Sequence, residues 1–162
     1  MQRPSSRLLT AWLSSAPSLG DLVDLCEENY GRITRLAPEL AQLAPGVYAS
    51  RLGGVLLRLE VQAQRPYTSE IRLTHVFASD SRLEQRDPDA LLRVSHDARQ
   101  LEVLDVRQGD LATTALYEAP GLVNKWRVNV FVAKWLAYCL VQGYRFDSRA
   151  EDQLAAKNLV TS

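Results

Sequence analysis

Cysteine and methionine are scarce in this chain, and net charge is absent. Two cysteines and one methionine occur in 162 residues, and 19 basic residues balance 19 acidic ones. A small secreted scaffold stapled by disulfides would be cysteine-dense, so that class is excluded. A protein that grips nucleic acid by neutralising phosphates carries a basic excess, and none exists here, which argues against nucleic acid as a partner. No apolar run approaches the length of a membrane span, which argues against a membrane partner. There is no glycine-rich phosphate loop, no G-x-S-x-G elbow and no H-E-x-x-H motif. The best-known routes to nucleotide, ester and zinc-peptide chemistry are therefore unsupported. No histidine–cysteine–acid spacing suits a metal, and nothing calls for a cofactor.

What is present is ordinary for a globular protein: 46% hydrophobic and 23% charged residues. The length suits a single α+β domain, placed at residues 18–146, with extensions of 1–17 and 147–162. The N-terminal stretch contains Leu8, Leu9, Trp12 and Leu13 at helical spacing. Its apolar core is too short for a secretory leader, so it reads as a short amphipathic helix docking onto the domain. Ser148 and Glu151 form a second helix-start pattern in the tail.

Ser18 and Asp21 have the spacing of a capping box, and Leu22, Leu25, Cys26, Ile33 and Leu36 recur on one helical face up to Pro38. The period then changes to two. Leu57, Leu59, Val61 and Ala63 alternate with Arg58, Glu60, Gln62 and Gln64, the pattern of a half-buried antiparallel strand. Gly53-Gly54 predicts a hairpin to a partner at Val47–Leu52, and alternation resumes over Tyr67–Phe77. "ASDSRLEQRDPDA" (78–90) reads as a loop. Leu92 and Val94, then Leu101 and Val103, mark two further strands around "HDARQ", and Gly109-Asp110 is expected to end the sheet. Asn124 is expected to cap a helix that is apolar on most sides from Val128 to Val141, with Gly143 as its left-handed terminator. The expected architecture is an antiparallel β-meander of four to six strands, an N-terminal helix, and a long buried C-terminal helix on one face.

Four segments taken together, "LCEENY" (25–30), "YTS" (67–69), "RVSHDARQLEV" (93–103) and "NKWRVNVFVAKWLAYCLVQG" (124–143), resemble the YqiB-like family of bacterial proteins, a domain of unknown function. The resemblance spans roughly residues 19 to 144. It implies a small bacterial cytosolic protein and no assigned activity. The family pattern maps onto Cys26, Glu27, Asn29, Tyr67, Thr68, His96, Asp97, Asn124, Lys125, Asn129 and Trp135. His75 falls in none of its motifs.

The candidate binding residues are His96, Asp97, Asn29, Tyr67, Thr68, Asn124, Lys125 and Asn129. His96 ends an apolar strand face, where its imidazole suits a hydrogen-bonding role, and Asp97 projects to the other face, where it suits the turn amides. Asn29 suits a core-edge amide that bonds a neighbouring backbone. Lys125, Trp126 and Arg127 are placed at a helix start, where basic and aromatic groups together suit a phosphate or a base. Both cysteines are expected to be reduced and buried. Because titratable groups are scattered, the reading favours a non-enzymatic cytoplasmic module that binds a protein partner or a small ligand, and a homodimer is compatible with it. The alternatives are a hydrolase of nucleotides or esters using His96, and an RNA-binding accessory protein.

Overall fold

The computed structural model describes residues 17–77, 85–108, 111–112 and 121–147. The two short helices expected at the chain ends lie outside them. Helix α1 (Leu19–Leu36) opens on the capping box expected at Ser18: the hydroxyl accepts the Asp21 N–H at 3.1 Å and the Asp21 carboxylate accepts the Ser18 N–H at 2.9 Å. A 3₁₀ turn (Leu40–Gln42) follows the C-cap at Ala37.

The sheet is a six-stranded antiparallel meander in sequence order: β1 (Gly46–Leu52), β2 (Val55–Gln64), β3 (Thr68–Phe77), β4 (Gln85–Ser95), β5 (Gln100–Gln108) and β6 (Leu111–Ala112). The hairpin at Gly53-Gly54 forms, with Leu52 opposite Val55 and Gly53 at φ 61°. Leu57, Leu59 and Val61 of β2, Ile71 and Leu73 of β3, Leu92 and Val94 of β4 and Leu101 of β5 share one buried face. The opposite face carries ion pairs, among them Arg72–Asp89 and Arg93 with both Glu70 and Glu102.

Helix α2 (Gly121–Gln142) covers the apolar face beside α1, burying Val128, Val132, Trp135, Leu136 and Cys139, and Gly143 closes it at φ 98°. The α+β class and the order of its parts are those expected.

Three expectations are corrected. Residues 85–90 are not loop: Gln85 and Arg86 pair with Phe77 and Val76, and Asp89 accepts from Arg72 at 2.8 Å and from Thr74 at 2.9 Å. Polar cross-strand bonds hold this end of β4, so no apolar alternation announces it. The sheet does not end at Gly109-Asp110, because Leu111 and Ala112 turn back to pair with Gln108 and Arg107. Asn124 is not an N-cap; α2 starts at Gly121, so Asn124, Lys125 and Trp126 already lie within it.

Candidate functional site

Two polar clusters and a groove beside one of them lie where the helices meet the sheet. The first cluster centres on His96, at the end of β4. Its Nε2 lies 2.9 Å from the Ser69 hydroxyl and its Nδ1 lies 3.3 Å from the Tyr30 hydroxyl. Ser69 in turn donates to Gln64 Oε1. The Gln64 amide nitrogen donates to the carbonyls of Leu40 and Leu43 at 2.7 and 2.8 Å.

Those carbonyls orient the whole chain. They fix which end of the Gln64 amide is nitrogen, so its oxygen receives the Ser69 proton, and the Ser69 oxygen is left to accept from His96 Nε2–H. His96 Nδ1 is then the acceptor for Tyr30. Burial lowers the His96 pKa, opposed in part by Asp97, and a neutral ring is what the network needs. Arg99, in the left-handed region at φ 55°, lays its guanidinium 5.2 Å from the centre of the Tyr30 ring. The Asp97 carboxylate accepts the Ala98 N–H at 2.9 Å. Tyr67 contributes only its carbonyl, which accepts the His96 N–H at 2.8 Å, and its side chain is 65% exposed. Thr68 closes the β2–β3 turn with Arg65.

The second cluster ties the two helices together. Asn29, fully buried, donates to the Asn129 carbonyl at 3.1 Å and accepts from Arg32 at 3.0 Å. Asn129 donates to the Lys125 carbonyl at 2.8 Å and receives the Cys26 thiol at 3.7 Å. Asn29 thus bonds a neighbouring backbone group, from the partner helix. Cys139 is buried, but Cys26 is only partly so, which corrects the expectation that both are shielded. Both are free thiols, with pKa values pushed up by burial to about 11 for Cys26 and about 12 for Cys139.

Beside this second cluster opens a groove of about 220 Å³, walled by Leu22, Val23 and Cys26 of α1, Lys125 and Asn129 of α2, and Gln100 to Val103 of β5. Of the residues singled out in the sequence, Lys125 and Asn129 line it and Asn29 braces Asn129. His96, Asp97, Tyr67 and Thr68 gather at the other cluster. Trp126 is buried among Leu22 and Leu25, so it offers no exposed ring for a base to stack on.

His75 and His96 do not meet. The residue that holds His96, Ser69, lies six positions from His75 on β3, about 20 Å along an extended strand. Among the described residues no group of three or more histidine, cysteine, aspartate or glutamate side chains is arranged to hold a metal. No helix among them is long and apolar enough to cross a membrane. Sequence reasoning did not single out Ser69 or Gln64 as site residues; the signal was that Ser69 closes the quoted "YTS" segment, with Gln64 at the end of the strand before it.

Residues 32–145 match the family described as Protein of unknown function (DUF1249). The chain belongs to that family. It is 29% identical to Uncharacterized protein YqiB of Escherichia coli K12 over 133 residues, covering 78% of this chain and 91% of the relative. The same figures hold for the proteins of that name in E. coli O6:H1 and O157:H7. No solved structure matches. Membership in DUF1249 carries the resemblance read in the sequence and assigns no activity.

Proposed function

We propose that this DUF1249 protein is a non-enzymatic, cytoplasmic binding module that takes a protein segment or a small ligand in the groove between α1, α2 and β5. Lys125 and Asn129 contact the bound group, Asn124 lies one residue before Lys125, and Asn29 braces the wall. The cluster of His96, Asp97, Tyr67 and Thr68 holds the adjoining β4–β5 turn, from which Gln100 enters the groove. The two free thiols support a reducing compartment.

One observation carries the non-enzymatic reading: the direction of the hydrogen-bond chain through His96. A serine–histidine pair at 2.9 Å has the spacing of a nucleophile and its base. Here the Ser69 proton goes to Gln64 and the histidine donates to the serine, the reverse of what activation requires. Ser69 is also fully buried, so no substrate atom reaches its oxygen.

The test is a thermal-shift screen of nucleotides, phosphoesters, carboxylic acids and peptide pools, run beside a turnover assay for phosphate and carboxyl esters. The expected result is a ligand that raises Tm in wild type and less so in Lys125→Glu, without turnover. Turnover lost in both Ser69→Ala and His96→Gln would overturn the reading.

A further inference from the structure

The groove has an unusual wall. Four consecutive residues of β5, Gln100 to Val103, line it. Successive side chains of a strand point to opposite faces, so a hollow over one face meets every second residue. A hollow that meets four in a row lies along the edge of the strand. The pairing agrees. β4 holds one side of β5 from Gln100 to Arg107, whereas among the described residues β6 holds only Arg107 and Gln108 on the other. Backbone groups of an antiparallel strand point alternately to its two neighbours, so about half of the N–H and C=O groups of Gln100–Leu104 face away from β4.

Open edges invite another strand. Here the edge is backed by α1, which offers Leu22 and the half-exposed Val23, and by α2, which offers Lys125. Among the described residues Lys125 forms no ion pair, while Glu102, on the opposite wall, is engaged by Arg93 at 3.6 Å. Lys125 is therefore the charged side chain of the groove without an ion pair among the described residues, while Glu102 shares Arg93 with Glu70.

We infer that the groove binds an extended peptide of a partner protein as an added strand on β5, with alternate apolar side chains against α1 and an acidic group beside Lys125. This inference rests on the groove being the binding site proposed above and specifies its occupant. Backbone hydrogen bonds supply affinity in this mode, and the side-chain pockets supply specificity. A helix packed beside an open strand edge supplies both.

The experiment uses the full chain. Amide exchange by NMR comes first, and the outward-facing amides of Gln100–Leu104 should exchange fast while the alternate ones, bonded to β4, are slow. A displayed library of short random peptides is then panned against wild type, with Val23→Trp and Lys125→Glu, both at exposed positions, as counter-selections. Enriched peptides should alternate apolar residues, carry an acid, and slow the fast amides. Binding should weaken by about tenfold in Lys125→Glu, the scale of one lost charge-assisted hydrogen bond.

Slow amides that become fast on dilution would show a second copy on the edge. Slow amides that become fast when residues 1–16 are removed would show that the chain covers its own edge. Either overturns the inference. A fast edge with no peptide enriched over the counter-selections overturns it too. A small molecule that binds the groove in the thermal-shift screen would then leave the broader binding reading standing alone.

Discussion

Trp135 of α2 donates its indole N–H to Nδ1 of His75 on β3 at 2.9 Å, a buried bond that pins the helix to the sheet. The imidazole is enclosed by Trp135, Phe77, Tyr138 and Tyr144, with ring centres 5.4 to 6.2 Å away. Its Nε2 has no hydrogen-bond partner among the described residues. Because Nδ1 accepts, Nε2 carries the proton of a neutral ring.

This arrangement predicts acid sensitivity. Burial lowers the His75 pKa below its ordinary 6.5. The unfolded chain therefore binds the proton more readily than the folded one. The contribution is complete above pH 6.5 and declines as pH falls through the window between that value and the lower folded pKa. A second proton on the ring would also set two donors, Nδ1–H and the indole N–H, against each other. Thermal melts from pH 7.5 to 5 should show Tm falling in wild type and falling less in His75→Gln, which keeps an acceptor but does not titrate. Parallel curves would remove His75 as the cause.

Truncating the partner should cost more than losing the bond. Trp135→Phe leaves the His75 acceptor unpaired in the core and is expected to destabilise by about 1 to 3 kcal/mol. Trp135→Ala adds a cavity beneath α2 and is expected to cost about 3 to 5 kcal/mol. Urea unfolding of both variants measures the difference, and an unchanged midpoint for Trp135→Ala would show that the helix is not packed as described.

The helix–helix tie should be nearly as sensitive as the helix–sheet tie. Asn29→Ala removes the donor to the Asn129 carbonyl and the acceptor for Arg32, and is expected to cost about 1 to 3 kcal/mol. Asn29→Asp keeps the acceptor and loses the donor, burying a carboxylate against a carbonyl, so its melting temperature should recover at low pH relative to wild type.

The thiols should separate under labelling. Cys139 is fully buried and should react only when the chain opens. Cys26, partly exposed, is reachable in the native state, but its pKa of about 11 leaves about 100-fold less thiolate than the ordinary value of 9.0 would. Iodoacetamide at neutral pH should modify Cys26 slowly and Cys139 only in denaturant. Equal native rates would contradict the burial assigned to Cys139.

Much of the fold was legible because its signals are local. Ser18 and Asp21 cap α1 through side chains three residues apart, and the alternation of β2 sits on a sheet with one wet face. Gly143 ends α2 in the one conformation that favours glycine. The illegible parts depend on partners distant in sequence. Asp89 makes strand from apparent loop through Arg72 and Thr74, and Asn124 lost its capping role to a helix start further upstream. At the candidate site, Lys125, Asn129 and Asn29 were legible as polar residues on apolar helices. Ser69 and Gln64 were not, since nothing in a strand pattern says that a serine hydroxyl will sit against a histidine 27 residues later. His75, in none of the segments on which the sequence resemblance rests, holds the helix that carries Trp135.

The two helices that roof this sheet come from opposite ends of the domain, and Asn29 meets Asn129 across 100 residues of chain. Every described strand, by contrast, pairs with its neighbour in sequence. During synthesis the hairpins can close one after another as they emerge, each at a small loop-closure cost. Throughout that time Leu22 and Leu25 of α1 lack Trp126, and the core lacks Val132, Leu136 and Cys139, because α2 follows all six strands in the chain. Between completion of the strands and completion of α2, the nascent protein therefore holds a sheet only partly covered, by α1 alone, a form that aggregates readily. Emergence of α2 from the ribosome is the event that closes its core.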